Sequence, residues 1–162
     1  MITTTAIILT SGAFNSNAPI PKKHTGEGKD VSPPLQWSGV PAEAQELALI
    51  CDDPDAPRAE PWVHWVIYAI PASVHELPEG VPQTRKLDKP IQAFQGVNDF
   101  GKIGYGGPMP PRGHGDHHYH FKLFALDTPL NLQPGATSKQ LMDAMKGHII
   151  SETTLTGTYE RM

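Results

Sequence analysis

Glycine and proline interrupt this chain so often that its apolar runs are no longer than a β-strand. Fifteen glycines and 17 prolines among 162 residues put a backbone breaker at roughly every fifth position. Proline cannot continue a helix and glycine weakens one, so the pattern predicts many turns and few long helices. The length suits one domain around a single core, and residues 1–162 read as one unit without repeat or linker.

The runs between breakers place the elements. Strands are expected at 6–9, where Ser11-Gly12 stops the first, at 35–37, and at 46–51, an unbroken apolar stretch. The run HWVIYAI at 64–70 is apolar on both faces, as in a central strand between two layers, and Pro71 ends it. A short strand is expected near 93–94, a longer one from His117 to about residue 126, and a last one at 153–159. Residues 15–34 and 79–104 read as long loops. One helix is convincing, at 138–146: Thr137 and Gln140 have capping-box spacing, Leu141, Met142 and Met145 form a stripe, and Gly147 sits where a C-terminal cap belongs. This pattern predicts an all-β fold with minor α content: an antiparallel sandwich with one short helix near the C-terminus.

Composition removes several classes of function. The formal net charge is −4 without a long run of one sign, which does not suit a nucleic-acid surface. Cys51 is the only cysteine, so no intramolecular disulfide forms and a reducing compartment fits. Ile7-Ile8-Leu9 is too short for a signal-peptide core, and no apolar run approaches the ~20 residues of a membrane helix. A cytoplasmic protein without a membrane span is expected.

The chemistry concentrates in residues 104–120, GYGGPMPPRGHGDHHYH, where glycines and prolines frame histidine, aspartate and tyrosine. Two weaker stretches match it in kind, Asp52-Asp53-Pro54-Asp55-Ala56-Pro57 and Trp62-Val63-His64-Trp65. Such rigid frames build a small polar pocket without a cofactor. Strand alternation from His117 puts His117, Tyr119, Phe121, Leu123 and Ala125 on one face and His118, His120 and Lys122 on the other. The first face turns apolar at once, so His117 and Tyr119 belong at the mouth of the core. Alternation also groups His64 with Trp62 and Val66. A buried His64 needs a partner, either a backbone carbonyl or a carboxylate such as Asp53. The plainer readings are turn chemistry for the aspartates, surface histidines at 114, 118 and 120, core tryptophans, and a flexible approach at Tyr105-Gly106-Gly107. No phosphate-loop pattern is present. His114, Asp116, His118 and His120 offer donors for zinc, but neighbouring strand residues point apart, so at most two or three converge.

Taken in order, Ser32-Pro-Pro-Leu-Gln-Trp37, Asp53-Pro-Asp-Ala-Pro57, Trp62-x-His64-Trp65, Gly104-Tyr-Gly-Gly-Pro-Met-Pro-Pro111 and His117-x-Tyr119 resemble the phosphatidylethanolamine-binding protein family, in its bacterial and archaeal Raf-kinase-inhibitor-like branch. The resemblance spans nearly the whole chain. It implies a Greek-key β-sandwich of two antiparallel sheets with a small anion pocket at one end. Carried over by position, it implies that Asp53, His64, His117 and Tyr119 form the pocket. The backbone at Met109, which stands between two prolines where many relatives have glycine, would supply an N–H. Pro57 and Pro110 would give rigid walls. It also implies a cis bond before the motif tryptophan, at Glu60-Pro61.

The expected function is therefore non-enzymatic binding of a small anion, a phosphate monoester or phospholipid head group, by donors from His64 and His117. No cofactor or metal is expected. The resemblance adds a possible kinase or protease partner, with residues 84–101 as a candidate contact surface, and a possible homodimer. The competing reading is a metal-assisted hydrolase built on the cluster from His114 to His120.

Overall fold

The computed structural model describes residues 6–162. Its elements are β1 (Ile8–Thr10), β2 (Leu35–Ser38), β3 (Glu46–Asp53), β4 (Trp62–Pro71), β5 (Glu76–Leu77), β6 (Lys86–Leu87), β7 (Ala93–Gln95), β8 (His117–Leu126), α1 (Ser138–Met145) and β9 (Ile149–Tyr159). They form two antiparallel sheets, a small one in the order β1-β2-β5 and a large one in the order β6-β7-β4-β3-β8-β9. This is the β-rich architecture with one late helix that the Gly/Pro spacing predicts.

The main core lies between the sheets. Leu9, Trp37 and Leu77 of the small sheet meet Leu47, Leu49, Trp65, Phe121 and Leu123 of the large one. The opposite face of the large sheet is also covered, because Ile50, Val66, Tyr68, Phe124 and Leu126 pack with Leu141 and Met145 of α1. That third layer explains why β3 and β4 are apolar on both faces. The helix forms as its local signals require. Gln140 N donates to Thr137 Oγ1 at 3.1 Å, Thr137 N donates to Gln140 Oε1 at 2.9 Å, and Gly147 follows with φ +81°. No helix among the described residues is long and apolar enough to cross a membrane.

Two irregularities in β4 break its alternation. Cys51 lies opposite Trp65 and Asp52 opposite Val63, so His64 is an extra residue in a bulge. A second shift lies between Leu47 and Leu49, beside Ala69 with φ +55°. A bulge re-aims a side chain without ending the strand. Alternation grouped His64 with Trp62 and Val66. Instead Val66 joins the helix-side layer, while His64 turns with Trp62 toward the end of the sandwich. On β8, where no bulge interrupts the histidine end, alternation holds: His117, Tyr119, Phe121, Leu123 and Ala125 are all buried and His118 is exposed.

Strands β5 and β6 are two residues each, too short to leave a period in the sequence. The expected cis bond at Glu60-Pro61 is a correction. The cis bond lies at Lys89-Pro90 instead. The two isomers at an X–Pro bond differ by only about 0.5–1 kcal/mol, so the surrounding turn decides. Here Arg58 holds that turn, donating to the carbonyls of Glu60 at 2.9 Å and Pro61 at 2.7 Å.

Candidate functional site

The end of β3, the bulge of β4 and the start of β8 open onto one cleft of about 220 Å³. All seven residues singled out from the sequence line it: Asp53, Pro57, His64, Met109, Pro110, His117 and Tyr119. The cleft also takes Ala56, Trp62, Phe100 and Pro111. Phe100 escaped the sequence reading because a lone aromatic in a polar loop carries no periodic signal. Its ring stands edge-on to both Trp62 and His64, with centroids 5.4 Å away in each case. Phe100 and Met109 remain 41% and 44% exposed, so they form an apolar lip.

The charged and polar members sit beneath that lip, and all are buried. Asp53 accepts from Asp55 N at 2.8 Å on one carboxylate oxygen, and bonds His117 Nδ1 at 2.6 Å with the other. A carboxylate only accepts, so His117 carries its proton on Nδ1. Of the two partners considered for His64, the carboxylate of Asp53 is thus taken by His117. The bulge turns His64 Nδ1 onto Gly106 O instead, at 2.6 Å. A carbonyl also only accepts, so His64 carries its proton on Nδ1 and presents Nε2 as a lone pair. Burial holds the His64 imidazole below its ordinary range, against the Gly106 bond and the nearby Asp53 charge, both of which raise it. Near neutral pH His64 is therefore uncharged. Burial, reinforced by Asp53, pushes the Tyr119 phenol far up, so it stays an O–H donor. The ring of Tyr119 contacts both histidines, edge-on to His64 at 5.1 Å and stacked with His117 at 6.5 Å.

A supporting shell fixes the loop that receives His64. Gly106 N donates to His64 O at 2.9 Å, Gly107 N donates to Asp30 Oδ1 at 2.7 Å, and Gly26 N donates to Pro108 O at 2.9 Å. Tyr105 OH reaches His24 O at 2.6 Å. A Cβ on Gly107 would stand 2.4 Å from His24 O and 2.6 Å from Asp30 Oδ1, so only glycine fits. The simple flexible approach considered for these glycines is therefore replaced by a strapped one.

The remaining histidines of the 114–120 cluster separate. His118 Nδ1 bonds Asp55 Oδ2 at 2.7 Å, His120 Nδ1 bonds Thr156 Oγ1 at 2.9 Å, and His114 Nδ1 lies 2.6 Å from His117 Nε2. Among the described residues, no three His, Cys, Asp or Glu side chains are grouped to hold a metal ion.

A family model described as phosphatidylethanolamine-binding protein matches residues 10–160. The chain belongs to the phosphatidylethanolamine-binding protein family. A UPF0098 protein of Pyrococcus horikoshii is 54% identical over 151 residues, covering 93% of this chain and 75% of that protein. One from Methanothermobacter thermautotrophicus is 50% identical over 153 residues, covering 94% and 98%. Among solved structures, a family homologue from Chlamydia trachomatis superposes with a TM-score of 0.87 at 43% identity, covering 98% of this chain and 99% of that one. The YbcL protein of Escherichia coli, described as a new member of the mammalian family, superposes at 0.88 with 33% identity, covering 99% and 100%.

Proposed function

We propose that the cleft binds a small anion, a phosphate monoester or the phosphate of a lipid head group, without turning it over. The observation that carries this reading is the meeting of His64, His117 and the Tyr119 phenol at the base of one proline-walled cleft. These groups donate to, or share a proton with, phosphate oxygens, and the fixed walls leave little to order on binding. His64 adds a direction. Its Nε2 is a lone pair, so a fully ionised oxygen is gripped only after that nitrogen takes up a proton. A singly protonated phosphate brings the proton itself.

The absence of turnover is inferred from the cleft's lining. None of its lining residues is Ser, Thr, Cys or Lys, and both oxygens of Asp53 are engaged. Cys51 is buried, and burial, together with the Asp52 and Asp53 charges, drives its thiol well above the ordinary range. The cleft therefore offers no serine-, threonine-, cysteine- or lysine-type nucleophile.

Calorimetric titration with inorganic phosphate and with phosphoethanolamine tests the reading. Affinity should fall as pH rises from about 5.5 to about 8, and binding should take up protons in that window. Tyr119→Phe, which removes one hydroxyl, should weaken binding by about 1 kcal/mol. Affinity that is flat in pH would remove the histidines as donors, and no heat with either probe would end the proposal.

A further inference from the structure

His117 has two ring nitrogens, and the protein uses both. Nδ1 is bonded to buried Asp53, and Nε2, the nitrogen an anion would need, lies 2.6 Å from His114 Nδ1. The two imidazoles stand 4.8 Å apart between centroids, with planes 53° from one another. One proton lies between those nitrogens, whichever ring holds it. His114 thus occupies the one ring nitrogen of His117 that Asp53 leaves open, and it does so from an exposed loop beside the cleft. The glycines on either side, Gly113 and Gly115, have φ +72° and +81°, and no atom lies within 4 Å of a Cβ placed on either. His114 is thus flanked by open space, and its backbone is held by Gly113 N to Arg161 O at 2.9 Å and His114 N to Pro111 O at 3.2 Å.

We propose that His114 is a built-in competitor for the anion and so sets which ligands the cleft accepts. The inference rests on the anion reading above. A neutral hydroxyl offers His117 a bond no stronger than the imidazole it would displace, so the exchange gains nothing. An oxyanion offers a charge-assisted bond roughly twice as strong once the shared proton stays on His117 Nε2, which makes that ring an imidazolium between Asp53 and the anion while the departing His114 takes a proton from solvent on its Nε2; it therefore displaces His114 and a neutral ligand does not. His114 is a specificity-determining residue on this account, with Asp53 behind it holding His117 at a fixed angle.

The experiment compares inorganic phosphate binding to the full chain and to His114→Ala by calorimetry. It is paired with nitrogen-detected NMR of the imidazoles in the unsubstituted chain. Because His114 is exposed, the substitution leaves the core intact. Removing one competing neutral hydrogen bond should tighten phosphate binding roughly 2- to 10-fold. Phosphate should also abolish the signal of the proton shared between His114 and His117. Phosphate binding that is unchanged or weaker in His114→Ala would overturn the inference while leaving the anion reading intact. So would a His114–His117 signal that survives phosphate saturation. If neither protein binds phosphate, both fall. Binding by His114→Ala alone would be the strongest support.

Discussion

Residues 104–111 and 111–116 follow one another along the chain, and each supplies the bond that occupies one histidine of the cleft. They are built in opposite ways. The first is buried from Gly104 to Pro108 and tied down by Asp30, Gly26, Gln83 and Asn98, and its Gly106 carbonyl receives His64. The second is largely exposed, and its backbone bonds are Gly113 N to Arg161 O at 2.9 Å and His114 N to Pro111 O at 3.2 Å. It presents a side chain to His117 rather than a carbonyl. One wall of the cleft is therefore strapped into the fold from several sides, and the other is an exposed loop held by two backbone bonds and the His114–His117 contact.

The largest effect that tests this contrast is expected at His117, which the open wall shares with buried Asp53. His117→Ala leaves Asp53 buried with one oxygen unpartnered, and should cost roughly 3–5 kcal/mol by urea denaturation. A cost near zero would mean that the Asp53 bond does not anchor this side. Next comes Gly107→Ala, where the added methyl meets two oxygens of the strapped wall. A loss of about 1–3 kcal/mol is expected, with no rescue by ligand.

The third effect is a pH dependence that belongs to the strapped side. Burial lowers the folded-state value of His64 below its unfolded one, so the unfolded chain binds the proton first as pH falls. Stability is unaffected well above about pH 6.5 and declines below it, by at most about 1.4 kcal/mol per pH unit for one group. His64→Gln should remove that part of the acid slope, and an unchanged slope would contradict a neutral His64. The smallest effect is expected from Gly113→Ala in the open loop, about 1 kcal/mol from its left-handed backbone alone. If it costs as much as Gly107→Ala, the two walls are equally constrained and the contrast fails.

Much of the molecule was legible before any coordinates. The bounds of β8 coincide with those expected, His117 to Leu126, because alternation there is uninterrupted and one face is buried throughout and apolar from Phe121 onward. The helix was legible from Thr137, Gln140 and Gly147 because caps are made by neighbours in sequence. Strand β9 begins at Ile149 rather than 153, since the exposed Ile149 and Ile150 read poorly as half of a buried face. The seven cleft residues were named from motif order, and the fold brings all of them to one place.

What the chain alone determined was the helix and the strands of three residues or more, because turn chemistry, caps and side-chain period act over a few neighbours, while the order of its motifs and their resemblance to a family named the residues gathered at one end. Only the tertiary structure decided who bonds whom. Asp53 pairs with His117 across 64 positions, His64 is turned by a bulge whose cause is the register of β3 against β4, and His114 closes on His117. Each of these choices lies between partners of equal local merit. Packing of distant segments resolves them, and no short stretch of sequence carries that information.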